Sequence, residues 1–265
     1  DRGLYYVWLV QRGMFDYHLN IDLSALSLSK GNPVIAETVG PESYGGVSGI
    51  YRVDRTGKVS LTLKSQSVTL LTIPANKDEH AADVYAVADA TVAGGTLSAK
   101  NYGSARQLSV ALNAAEPQKN QVTYISFKVD PTRIGKADRI ILSVNGRASD
   151  SKRPFRLHVY GIPGKLINER TINWNNAPLL DKTEALIHHI GQQGFVAGEL
   201  AFDGSAHYRG LDITDMLKKY AKHEVTFVFV RETRELGDDI DKGRQAFISS
   251  RESADKPKLQ FWTGK

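Results

Sequence analysis

YISFKV, Tyr124 to Val129, and FRLHVY, Phe155 to Tyr160, are the stretches whose reading decides the fold. In the first, Ile125, Phe127 and Val129 alternate with Tyr124, Ser126 and Lys128; in the second, Phe155, Leu157 and Val159 alternate with Arg156, His158 and Tyr160. Successive side chains on a strand point to opposite faces, so a period of two marks a strand with one face turned to a core. RIILSV (Arg139 to Val144), VTFVFV (Val225 to Val230), AFISS (Ala246 to Ser250) and KLQFW (Lys258 to Trp262) follow the same style, separated by polar turns. Short strands in this number predict an all-β fold, an antiparallel, jelly-roll-like β-sandwich over residues 79–265. One short helix interrupts it. In DITDMLKKY, Asp212 to Tyr220, Ile213, Met216, Leu217 and Tyr220 share a face, with acids first and lysines last as the helix dipole favours.

Upstream, LYYVWLV (Leu4 to Val10), YHLNIDL (Tyr17 to Leu23), PVIAETV (Pro33 to Val39), VSGIYRV, KVSLTL and SVTLLTI (Ser67 to Ile73) predict a small antiparallel β-domain over residues 1–78. The boundary is expected in the polar stretch PANKDEHAAD, Pro74 to Asp83. LYYVWLV is apolar on both faces and begins three residues from the start, with neither an initiator Met nor a signal peptide before it. A strand of that kind needs cover on both sides, which so small a unit supplies poorly, so the expectation is that upstream sequence is missing.

Of 265 residues, 41% are hydrophobic and 24% charged, the composition of a chain that buries a core. No apolar run approaches the 18 or so residues of a membrane-spanning helix, which argues against a membrane role. Cysteine is absent, so disulfides, thiolate zinc sites and cysteine nucleophiles are excluded. The formal charge of +5 is well mixed, with no block of five or six like charges. It suits a polyanion met through local patches and lacks the stripe of a nucleic-acid binder. No phosphate loop, HExxH helix, GxSxG elbow or EF-hand loop occurs, and no catalytic residue is assigned. His188 and His189 are adjacent, hence on opposite faces of a strand, and read as exposed polar residues. The turn GDDIDKG, Gly237 to Gly243, offers Asp238, Asp239 and Asp241 as oxygen ligands for a structural Ca²⁺, with a solvated hairpin loop as the alternative; no cofactor is required.

The candidate ligand surface lies on the outward rows of the two opening strands. Tyr124, Ser126 and Lys128 from one, and Arg156, His158 and Tyr160 from the other, would form a wall of tyrosines and cations, with Arg139 and Arg251 as further cations. Tyrosine rings stack on the C–H faces of sugars and Arg forks grip carboxylate or sulfate, so this is chemistry suited to an anionic polysaccharide. The bland alternative is a solvated sheet face with incidental aromatics.

Several strings carry a resemblance when taken together: Asp83-Val84-Tyr85, KNYGSARQLSV (Lys100 to Val110), YISFKVD, RIILSVNG (Arg139 to Gly146), TINWNNAP (Thr171 to Pro178), LDITD (Leu211 to Asp215) and FISSRESADKPKLQF (Phe247 to Phe261). In this order they resemble the DNRLRE-type domain, similar to carbohydrate-binding module family 96, over about residues 80–263. The resemblance implies a non-catalytic β-sandwich, and characterised members of that family bind alginate. Where other members place basic residues, near Ala111 and Gln121, this chain is uncharged, with Lys100, Arg106 and Lys128 close by. IDLSALSLSKGNPV (Ile21 to Val34) and SQSVTLLTIP (Ser65 to Pro74) resemble the terminal β-domain of agarase- and porphyranase-type glycoside hydrolases such as family 86. That second resemblance implies a catalytic barrel upstream or on another chain.

The expectation is therefore the polysaccharide-binding portion of a secreted, extracellular or surface-held, polysaccharide-degrading enzyme, with an algal galactan or another acidic glycan as partner. One rival is a β-sandwich lyase using Tyr160 and His158 for proton transfer and Arg156 to neutralise a uronate. The other is an adhesion or assembly module whose apolar edge at Leu4 to Val10 pairs with another polypeptide.

Overall fold

The structure is a computed structural model that describes residues 4–41, 43–74, 83–113, 116, 119–150, 154–180, 194–220, 223–231 and 243–262. Six strands come first: β1 (Leu4–Gln11), β2 (Tyr17–Asp22), β3 (Pro33–Gly40), β4 (Ser43–Arg52), β5 (Lys58–Leu63) and β6 (Ser67–Pro74). Strands β1, β6, β3 and β4 form a sheet in that order, and β2 pairs with β5 in a separate ribbon. The turn at Arg55-Thr56-Gly57 forms because Asp54 Oδ1 accepts from the Thr56 and Lys58 amides (2.7 and 2.9 Å) while Gly57 takes a φ of +79°. Between sheet and ribbon lie Val34, Ala36, Val53, Val59, Leu61, Leu71 and Ile73. The division expected between residues 78 and 79 falls outside the described residues.

The later strands are β7 (Val84–Tyr85), β8 (Ala88–Ala93), β9 (Gln107–Ala111), β10 (Gln121–Lys128), β11 (Arg139–Ala148), β12 (Phe155–Pro163), β13 (Phe195–Phe202), β14 (His207–Asp212), β15 (Glu224–Val230), β16 (Gln245–Ser249) and β17 (Lys258–Trp262). One layer runs β8-β10-β15-β12-β13. In the other, β11 pairs with β14 along one edge and with β17 and then β16 along its other, and β16 pairs with β9. Ile125, Phe127, Leu157, Phe227 and Phe229 from the first layer meet Leu142, Val144, Ile248 and Phe261 from the second. The fold is the antiparallel all-β sandwich that the alternation predicts.

Among the described residues, two α-helices pack against each other beside the sandwich. The expected one, α2 (Thr214–Tyr220), begins where Asp212 Oδ1 accepts from the Thr214 amide (3.0 Å), and Ile213 and Leu217 are buried beneath it. A further six-residue helix, α1 (Pro131–Lys136), is capped by Asp130 with Pro131 in its first turn.

The layer containing β11 and β14 continues into the first six strands. Val47 of β4 stands opposite Gly210 of β14, and Ile35, Val47 and Ile50 pack with Ile141 and Trp262. A Cβ on Gly210 would come within 2.7 Å of Ile141 and 2.9 Å of Val47, so a side chain there would wedge the two halves apart. Arg139 clamps the same junction, with Nη2 on Glu37 Oε1 (2.5 Å) and Nε on Asp212 Oδ2 (2.7 Å). Among the described residues no helix is long and apolar enough to cross a membrane.

Candidate functional site

The tyrosine wall expected on β10 and β12 is not a solvent-facing wall. Tyr124 is 0% exposed and Tyr160 is also buried, both within a second apolar cluster with Val122, Ile162, Val228 and Val230. The cover comes from the segment after β12, which lays Ile167, Ile172, Trp174, Ala177 and Leu180 across the outer face of that layer. Tyr124 donates from its hydroxyl to the Pro178 carbonyl (2.9 Å), and burial pushes its phenol well above the ordinary tyrosine range. Ser126 is buried too, its hydroxyl 2.7 Å from that of Thr226 and accepting from the Ile167 amide (3.2 Å). Of that row only Lys128, at the strand end, is exposed. Alternation had identified a shared face correctly, but the face is covered by chain from elsewhere.

The other expected residues separate. Arg139 serves as the clamp between the halves, its charge held by Glu37 and Asp212 against the cost of burial. His158 is half-buried, with Nε2 3.3 Å from Glu199 Oε1 and its ring stacked near Tyr160 at 6.5 Å between centroids. Arg251 forms a fork on Glu169. Asp238, Asp239 and Asp241, like His188 and His189, lie outside the described residues.

Arg156 reaches a different setting. It lines a cleft of about 150 Å³ between the first six strands and the sandwich, together with Lys64, Glu199, Asp203, His207 and Arg209. The β5–β6 turn brings Lys64, whose Nζ is 2.9 Å from Asp16 Oδ2. From β14 come His207 and Arg209. Arg209 is buried, bonded to Asp203 Oδ1 (2.9 Å) and the Gly146 carbonyl (2.7 Å), and its guanidinium lies 4.9 Å from the centre of the Phe202 ring. Burial, and after it the charge of Arg209, holds the His207 imidazole below its ordinary pKa, which favours its neutral form. On the opposite wall Thr38 Oγ1 lies 2.7 Å from Ser48 Oγ and 2.9 Å from Thr69 Oγ1. Three cations meet three carboxylates here, Asp16 on Lys64 and Asp203 on Arg209 among them, in a lining rich in hydroxyls, which is a surface for polar, oxygen-rich ligands.

A second constellation gathers the irregular strings of the sequence at one corner of the sandwich. Asn101 Nδ2 donates to the carbonyls of Glu169 (2.8 Å) and Ile172 (2.7 Å). Gly103 presses so close that a Cβ would fall 2.0 Å from the Glu169 carbonyl oxygen. In the TINWNNAP stretch the Asn176 side chain accepts from the Asn173 amide (2.8 Å) and donates to the Thr171 carbonyl (2.9 Å), while the Trp174 indole is buried against β10 and β15. Arg251 places Nε and Nη2 on the two Glu169 oxygens (2.7 and 2.6 Å), and its amide donates to Asp89 Oδ2 (2.6 Å). Asp89 is pushed up to about 7, by burial first, with the charges of Glu252 and Glu169 adding to it against the bond from the Arg251 amide.

Lys64, Asp89, Glu169, His207 and Arg209 were not singled out in the sequence. HYRGLD, His207 to Asp212, does alternate, but its central Gly masks the pattern; Asp89 and Glu169 carry no local signal, since their partners stand about eighty or more positions away.

Among known proteins, the profile of carbohydrate-binding module family 96 matches residues 80–263. No curated protein sequence matches the chain. Among solved structures, a family 86 β-porphyranase from the human gut bacterium Bacteroides plebeius is 12% identical with a TM-score of 0.22, covering 100% of this chain. The isomalto-dextranase of Arthrobacter globiformis T6, solved with panose, is 10% identical with a TM-score of 0.23, covering 98%. The chain spans 35% of the length of each, and likeness at this level establishes nothing about its activity.

Proposed function

This chain belongs to carbohydrate-binding module family 96, and on that premise we propose that it holds an acidic polysaccharide in the cleft between its first six strands and its sandwich, without cleaving it. The observation that carries the reading is the meeting of Arg156, Lys64 and Arg209 with a hydroxyl-lined wall in one concave place. Arg forks suit carboxylate or sulfate, and the hydroxyls of Thr38, Ser48 and Ser67 exchange hydrogen bonds readily with those of a sugar. Pockets for drug-sized ligands run to about 300 to 1000 Å³, so this smaller cleft suits one or two sugar units of a longer chain. The partner class is an algal galactan or a uronic glycan, and the setting is a secreted or surface-held enzyme whose catalytic part lies elsewhere. Binding then works by proximity, since a tethered second site raises the local concentration of substrate.

The lyase alternative finds no support, because Tyr160, its proton-transfer group, lies inside an apolar cluster. The test is electrophoresis of the chain through gels containing agarose, porphyran, carrageenan or alginate. Retardation in at least one gel, relieved by Arg156→Ala and by Lys64→Ala, is the expected result. Unretarded migration in all four overturns the glycan reading, and retardation unaffected by either substitution overturns the cleft as its place.

A further inference from the structure

The corner that holds Arg251 is short of positive charge. Asp89 on β8, Glu169 after β12 and Glu252 after β16 come from three distant parts of the chain, and one carboxylate oxygen of each lies within 4.8 Å of the others. Arg251 answers part of their charge, through its fork on Glu169 and a contact of 3.0 Å from Nε to Glu252 Oε1. With all three carboxylates ionised, three negative charges face one positive, which leaves two.

A second observation shows where the deficit lies. Asp89 is 0% exposed, and while its Oδ2 accepts from the Arg251 amide, its Oδ1 has no hydrogen-bond partner among the described residues. A buried carboxylate oxygen without a donor is costly and calls for a cation or an ordered ligand. The surroundings are rigid: Glu169 is held by Asn101 and Gly103, and Asp89 sits within a strand paired to the centre of β10.

We propose that Asp89, Glu169 and Glu252 bind one Ca²⁺ ion, which ties β8, the covering segment after β12 and the turn after β16 into one corner. Hard cations take carboxylate, carbonyl and water oxygens, and this donor set contains no nitrogen or sulfur. Oxygens on opposite sides of Ca²⁺ stand about 4.6 to 5.2 Å apart, against about 4.0 to 4.2 Å for Mg²⁺. One oxygen from each of the three carboxylates lies within 4.8 Å of the others, so all three can reach a single ion of the larger size. The site differs from the Asp238–Asp241 turn and needs no glycan.

The full chain, stripped with a chelator, is titrated with CaCl₂ by calorimetry and by thermal unfolding. One ion should bind and raise Tm by several degrees. Glu252→Gln, at the exposed rim, should weaken binding roughly tenfold or more. Asp89→Asn, of the same shape, should abolish it, and Asp239→Asn should leave it unchanged. Absence of heat and of any Tm shift at millimolar Ca²⁺ overturns the proposal. So does an unchanged Kd in Glu252→Gln, which decides the matter if Asp89→Asn does not fold, or loss of binding in Asp239→Asn.

Discussion

Strands β10 and β1 exchange the surroundings that their sequences suggest. YISFKV reads as half-exposed, yet β10 is covered on both faces, by the opposite layer and by the segment bearing Trp174. LYYVWLV reads as needing cover on both faces, yet β1 turns only Val7 and Leu9 to a core and leaves Tyr6, Trp8 and Val10 exposed. Two of the three tryptophans state the contrast most simply, Trp174 being 5% exposed and Trp8 66%. Periodicity tells which side chains share a face; what lies on that face is decided by chain remote in sequence.

The strongest test of that contrast is to remove the cover from β10. Trp174→Ala takes the largest side chain out of the cluster over Tyr124 and Val228, and a buried aromatic truncated in this way costs about 3–5 kcal/mol. Urea denaturation should show the loss as a lower midpoint with little change in slope. A loss under about 1 kcal/mol would mean that the segment after β12 does not seal this face, and that Tyr124 is accessible after all.

A smaller effect is expected at the junction of the halves. Arg139→Met keeps much of the side-chain bulk but leaves Glu37 and Asp212 facing each other without a cation. The loss of two charge-assisted hydrogen bonds, in a place only partly screened by solvent, should amount to about 1–3 kcal/mol. Scanning calorimetry should show the first six strands melting earlier than the sandwich, since what remains at the junction is the β4–β14 pairing and the small cluster around Ile35, Val47 and Trp262. An unchanged single transition would mean that the strand pairing and this apolar contact couple the halves without the Arg139 clamp.

The strands were legible where alternation was clean and turn residues flanked them, as in β2, β10, β12 and β15. They were not where Gly or Ala thinned the pattern, as in β8, β13 and β14. The candidate site was far less legible. Arg156 belonged to the outward row that alternation identified, but Lys64 reaches the same cleft across the junction of the halves, and no spacing rule joins positions 64, 156 and 209. The three-acid corner leaves no local signal for the same reason, whereas the acidic turn at Gly237 to Gly243 does, because its carboxylates are neighbours in sequence. Resemblance supplied what periodicity could not: the irregular strings around Asn101, Trp174 and Arg251 form the corner that periodicity passes over.

The smallest expected effect is also the most informative about β1. Tyr6, Trp8 and Val10 stand on the outer face of β1, Val10 lies opposite Val68, and Val68 opposite Val39, all exposed. An apolar strip of this kind is unusual on a surface that meets only water. Trp8→Ser should change stability by no more than about 0.5 kcal/mol, because little of the indole is removed from solvent in the folded chain. Binding of an apolar dye should fall at the same time, since the strip loses its largest ring. A destabilisation above about 2 kcal/mol, growing with protein concentration, would contradict this and show that another copy covers the strip in solution. The outer face of β1 would then be covered as that of β10 is, by a second chain in place of a loop.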